Sequence, residues 1–137
     1  MTLATHLALA VGACPIELDP VRHDRLAAGI SHMPYLAALA VFAAANDLAQ
    51  GDSMTWRLAA GGFRSTTRLA GSDDKMMADI LLSNREAVLA QLDRLQAGLA
   101  QLAAFITTGD EARLRDLAGA VRQQRAGFLE QYGKSIP

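Results

Sequence analysis

Much of what usually marks a functional site is scarce in this sequence. Among 137 residues there are one cysteine, three histidines, four prolines, one tryptophan and few aromatics of any kind. The lone Cys14 excludes an internal disulfide framework and suits a reducing, cytoplasmic setting. His6, His23 and His32 stand at no zinc-ligand spacing with it, so no metal site is expected. Net charge is −1 and there is no basic run, which argues against nucleic acid as a partner. No G-x-G-x-x-G lies between a strand pattern and a helix pattern, so the chain carries no dinucleotide fingerprint of its own. The apolar start from Leu3 to Ala13 is too short to cross a bilayer. Val11-Gly12-Ala13-Cys14 has the small-residue look of a lipoprotein signal. It lacks a basic residue ahead of it and has Pro15 immediately after, so a buried amphipathic helix ending at Gly12 is the better account and no membrane partner is expected.

What is present is helix. At 51% hydrophobic and 20% charged the composition is that of one globular domain over residues 1–137. Residues 3–12 read as a first helix. Asp19-Pro20 is a cap followed by proline at the first helical position, opening a long Ala/Leu-rich helix to about Asp47. Pro34 falls inside it and predicts a break near Ile30 and Ser31, freeing carbonyl groups beside His32. Residues 53–58 read as a short helix carrying Trp56, and Ser72-Asp73-Asp74 starts another with Met76, Met77, Ile80 and Leu81 on its apolar face. From Arg85 onward Val88, Leu92, Leu95, Leu99, Leu102 and Ile106 are spaced 4, 3, 4, 3, 4. This is a heptad seam. Thr107-Thr108-Gly109-Asp110 interrupts it, and Leu114, Leu117, Val121 and Phe128 resume it on a last helix. The expected fold is all-α, about six helices, with a C-terminal antiparallel hairpin. The broken helix and the hairpin form its core.

One stretch departs from that pattern. Ala59 to Ser72 contains Gly61-Gly62, two arginines, three hydroxyls between them and a closing glycine, and reads as a loop. Paired glycines admit close approach of a ligand or another backbone. Arg68 among small polar residues offers a planar fork to a carboxylate, or is a solvated loop charge.

Two blocks then match in order. His23-Asp24, six residues and Ser31-His32-Met33-Pro34 are followed by Gly61-Gly62-Phe63-Arg64-x-Thr66-Thr67-Arg68-Leu69-Ala70-x-Ser72, running on to Met76-Met77-Ala78-Asp79-Ile80 and Asn84. Together they resemble the C-terminal helical domain of the prephenate/arogenate dehydrogenase family. The resemblance implies a substrate-binding and dimerisation domain that forms an intertwined homodimer. The complete enzyme would decarboxylate prephenate or arogenate oxidatively in tyrosine biosynthesis. NAD or NADP would be bound by an N-terminal domain not represented here. The catalytic histidine also belongs to that domain, so the chain alone is expected to be inactive.

By resemblance Arg68 grips a substrate carboxylate, with His32, Tyr35, Gly61 and Gly62 around the ligand. His23, Asp24, Ser31 and Ser65 support them. His32 is alternatively a core histidine bonded at the helix break. His23 and Asp24, adjacent on a helix, are expected to face apart. Three departures bear on specificity. Tyr35 replaces the family's second histidine, which is tied to inhibition by tyrosine. Ser65 stands where an acidic residue is frequent, and Met77 where a tryptophan is common. Two rival readings are a dimeriser without a ligand and a tyrosine-sensing helical dimer.

Overall fold

The computed structural model describes residues 2–133. Its elements are α1 (Leu3–Ala10), α2 (Pro20–Ala27), a π turn (Ala28–His32), α3 (Met33–Gly51), α4 (Met54–Leu58), α5 (Gly61–Thr67), a 3-10 turn (Arg68–Gly71), α6 (Asp74–Ser83), α7 (Arg85–Thr108) and α8 (Glu111–Tyr132). No strand occurs among the described residues, and the fold is all-α. The chain forms two compact units, Met1–Leu92 and Asp93–Pro137.

Within the first unit the long helix forms as its sequence dictates. The Asp19 carboxylate accepts the Arg22 amide at 3.0 Å, and Pro20 takes the first helical position. The expected break takes a specific form: five residues wind as π-helix, and the Met33 amide reaches back to the Ala28 carbonyl. Pro34 has no amide to give to Ile30, and its ring would crowd that carbonyl in a regular α-turn. Widening the preceding turn relieves the crowding without ending the helix. Pro20–Gly51 is therefore one continuous helical stretch. It is long and apolar enough to cross a membrane by length and composition.

The core of this unit is small and centres on the π turn. Ala28 and Ala38 are fully buried, with Tyr35, Thr67, Met77 and Val88 close to it. The 3-10 turn and α5 both pack on α3. Further along, Phe42, Trp56 and Phe63 form a ring cluster with centroids 5.6 to 6.0 Å apart, tying α3, α4 and α5 together.

Three expectations change. Ala59 to Ser72 is mostly helical, not a loop. Ala60 is extended, Gly61 and Gly62 open α5 with ordinary helical geometry, and the Thr67 hydroxyl donates to the Phe63 carbonyl at 2.8 Å. With α5 added and the broken helix counted as α2 and α3, the expected six helices become eight among the described residues. α1 ends as foreseen at Gly12, whose φ of 79° is the left-handed conformation that favours glycine, but none of its residues is buried. Lastly, of the heptad positions only Val88 is buried.

In the second unit α7 ends at Gly109, φ 65°, and Asp110 caps α8 by accepting the Arg113 amide at 3.0 Å. Leu95, Leu102, Leu114 and Leu117 are half-buried, Leu99, Ile106, Val121 and Phe128 are exposed, and no described residue of this unit is buried.

One side chain holds the first unit together across sequence. Asn84 ends α6, and its own carbonyl accepts the Val88 amide at the start of α7. Its Nδ2 donates to the Asp24 carbonyl at 2.8 Å and lies 3.3 Å from His32 Nδ1. Replacing Asn84 by Ala should cost about 1–2 kcal/mol by removing both side-chain bonds, readable as a lower urea midpoint with an unchanged m-value. Asp73 caps α6 by accepting the Met76 amide at 2.7 Å. Asp73→Ala should cost about 1 kcal/mol in the same titration.

Candidate functional site

The π turn carries two of the candidate residues. A π turn carries one more residue per loop of hydrogen bonding than an α-turn, so it displaces the side chains on either side of it. Here those are Ser31, which is exposed, and His32, which is half-buried. Because the Asn84 amide nitrogen can only donate, His32 Nδ1 is the acceptor and the neutral ring carries its proton on Nε2. His32 is thus both a histidine bonded at the helix break and a donor oriented for something beyond it.

His23 and Asp24 do not face apart. His23 Nδ1 lies 3.0 Å from Asp24 Oδ1, both side chains well exposed. Neighbouring side chains leave a helix in different directions at Cβ, but imidazole and carboxylate are long enough to curl back and meet. In water such a pair contributes little to stability. The Asp24 contribution to packing comes from its backbone carbonyl, the acceptor for Asn84. Asp24 and His32 are thereby joined through one amide.

α5 and the 3-10 turn that follows it carry the other candidate residues. Arg68 begins that turn, exposed, with no hydrogen-bond or ion-pair partner among the described residues. Gly61, Gly62 and Ser65 lie on α5, all exposed. A methyl group added at either glycine would meet nothing within 4 Å, and neither glycine has positive φ. Nothing in the chain itself requires glycine there. Arg64 is exposed as well, and Arg57 turns back to the Met54 sulfur at 3.8 Å.

Tyr35, in the first turn of α3, is 7% exposed and part of the core. Met77 is likewise buried, a flexible side chain filling the space under α6. The residue that sequence reasoning left without a role is Asn84. It stood in the quoted pattern, but its use depends on α6 ending beside α2, a distance of sixty residues in sequence.

A separate apolar cleft of about 350 Å³ is lined by Leu48, Met54, Trp56, Leu58 and Phe63. It contains none of the charged residues above. Among the described residues no group of three or more His, Cys, Asp or Glu side chains could hold a metal ion.

Residues 19–119 match the model of the prephenate dehydrogenase dimerization domain. The prephenate dehydrogenase of Lactococcus lactis is 36% identical over 95 residues, which is 69% of this chain and 27% of that protein. Among solved structures, Synechocystis arogenate dehydrogenase superposes with a TM-score of 0.82 at 25% identity, over 91% of this chain and 46% of its own. Prephenate dehydrogenase from A. aeolicus, solved with hydroxyphenyl propionate and NAD+, gives 0.84 at 26% identity, over 92% of this chain and 44% of its own. The chain thus spans about a quarter of the curated relative and under half of each solved one. With a π-wound helix, a capped α6 and an arginine-bearing turn all inside the matched residues, the chain belongs to the family of prephenate dehydrogenase dimerization domains.

Proposed function

We propose that the chain is the substrate-binding and dimerising part of a prephenate or arogenate dehydrogenase, an NAD- or NADP-dependent enzyme of tyrosine biosynthesis acting in the cytoplasm. The observation that carries this reading is Arg68, an exposed guanidinium without a partner among the described residues, inside the family match and beside a helix opened by two glycines that the chain does not need. A dicarboxylate substrate supplies what that group lacks. Its planar fork suits a carboxylate in two-point contact. Gly61 and Gly62 leave room for the ligand, and Ser65 offers a hydroxyl nearby on the same helix. His32 Nε2 would be a further donor to the ligand, its Nδ1 being taken by Asn84. Tyr35, placed in the core, acts on the pocket through the packing of α3, so tyrosine as an inhibitor would have to be recognised without the family's second histidine.

Hydride acceptance belongs to the nicotinamide cofactor. Its site is assigned to a part of the enzyme outside this chain, a reading supported by the lack of a G-x-G-x-x-G in the sequence, and the chain by itself should not turn over substrate.

Dimerisation accounts for the surface. Val41, Leu48, Leu89, Leu99 and Ile106 are among the large apolar residues left open on α3 and α7. α7 and α8 do not pack along each other as the expected hairpin, and a second copy covering these residues turns an apolar surface into a core.

In the complete enzyme, Arg68→Ala should raise KM for prephenate by about 10- to 100-fold with the cofactor KM unchanged, the effect of losing one charge-assisted contact. Steady-state kinetics with each substrate varied in turn decides it, and an unchanged prephenate KM would leave Arg68 a surface charge. Gly62→Ala should leave the chain alone as stable or more stable, by up to about 1 kcal/mol, because a helical position gains a better helix former. In the enzyme the same change should raise the prephenate KM. A thermal melt and a kinetic assay on one variant report the two effects separately.

A further inference from the structure

The Asn84 amide stands in a chain of groups that leaves it no choice of orientation. The Asp24 carbonyl takes the Ala28 amide with one lone pair. With the other it takes Asn84 Nδ2, at 2.8 Å. A carbonyl can only accept. Turning the Asn84 amide over would set its oxygen against that carbonyl, two acceptors facing each other, so the nitrogen stays inward. The same nitrogen lies 3.3 Å from His32 Nδ1, and it has two protons, one for each acceptor. A backbone carbonyl of α2, fixed by helix geometry, therefore sets the tautomer of the histidine that closes the π turn.

What this leaves outward is Nε2–H. His32 is half-buried, and its Nε2 has no hydrogen-bond partner among the described residues. No buried side-chain nitrogen or oxygen among those residues lacks a partner, so Nε2 is open to solvent. A bridge that served packing alone would need only the acceptor at Nδ1. Asparagine at position 32 would give Asn84 that acceptor, because its side-chain oxygen ends close to the place of Nδ1. Histidine adds one thing to the bridge, a donor on the opposite edge of the ring.

We propose that Asn84 is a positioning residue for the substrate: by taking Nδ1 it makes His32 a donor at Nε2 that recognises a lone-pair oxygen of the ligand, carboxylate or carbonyl, and rejects an ammonium or other N–H group at that point. The proposal rests on the dehydrogenase reading for the identity of the ligand. Asn84 and His32 both lie inside the residues matched by the family model. Arg68, the candidate for the carboxylate, also only donates. The two side chains thus ask for the same ligand chemistry, an oxygen-rich anion that brings acceptors to each contact. Without Asn84 the ring could carry its proton on Nδ1, and a carboxylate would then meet a lone pair at Nε2.

Two exchanges separate the two edges of the ring, since the asparagine amide ends near the place of Nδ1 and the glutamine amide near that of Nε2. In the complete enzyme His32→Asn should show a prephenate KM about 10-fold or more above that of His32→Gln, with the cofactor KM the same in both. In this chain the order of stability should be the reverse of the order of loss, His32→Asn melting above His32→Gln because it keeps the bond to Asn84. Equal KM values overturn the proposal, since a packing bridge moves stability alone. Asn84→Asp presents only acceptors and so requires a proton on Nδ1. By NMR of the ring nitrogens in this chain, at a pH where histidine is neutral, His32 should be the Nε2–H form in the wild type and carry a proton on Nδ1 in Asn84→Asp. An Nδ1–H ring in the wild type overturns the proposal. So does a prephenate KM in the complete enzyme that Arg68→Ala raises and Asn84→Asp leaves unchanged. A KM raised by Asn84→Asp and not by Arg68→Ala would retain the role of Asn84 and defeat Arg68 as the carboxylate grip, and a KM moved by neither would defeat both. Where Asn84→Asp does not fold, the comparison of His32→Asn with His32→Gln decides.

Discussion

An amide proton that does not exist governs the first unit of this protein. Pro34 cannot bond to Ile30, and the helix answers with a π turn at Ala28–His32 instead of stopping. That response keeps α2 and α3 in one continuous stretch while shifting the side chains around Ser31 and His32. It also puts Ala28 at the centre of the core, fully buried, where a larger residue would not fit the close approach. Asn84 then locks the altered turn: one side-chain amide holds a carbonyl of α2 and the imidazole at the end of the π turn. Without the widened turn the imidazole would be displaced around the helix, and Asn84 could not satisfy both partners. The half of the candidate site built on His32 follows from this pair of residues.

The other half is governed by absence of constraint. α5 begins with two glycines under no steric pressure, and Arg68 ends the same segment without a partner among the described residues. A protein that folded for stability alone would place better helix formers at the first. Local choices that contradict local stability are expected where a ligand makes up the difference.

Helix starts, the break in the long helix and the left-handed glycines at 12 and 109 were all legible in the sequence, because each depends on a few neighbouring residues: Asp19-Pro20, Pro34, Asp73 and Asp110 act within one turn. The kind of break was not, since π winding and a kink answer the same missing hydrogen bond. Glycines in the Ala59–Ser72 stretch signalled a loop by propensity. Packing on α3, with the Thr67 hydroxyl and the aromatic cluster around Phe63, overrode that propensity. The Asn84 bridge was not legible, because it needed two helices brought together from sixty residues apart. The curl of His23 onto Asp24 was missed because helix geometry fixes Cβ directions and leaves the ends of longer side chains free. Burial along the heptad was also misjudged. A periodic apolar seam states that something packs on it, and here most of the seam remains open in a single chain.

The smallness of the core has a consequence for what stability means in this protein. Six buried side chains, two of them alanines, support the described part of a 137-residue chain. In the proposed dimer, folding and association draw on the same apolar surface: unfolding is then a reaction of unequal molecularity, one folded dimer giving two unfolded chains, and its midpoint rises with the logarithm of protein concentration. Dilution acts on such a molecule as a denaturant, and its cellular abundance becomes one of the determinants of its own fold.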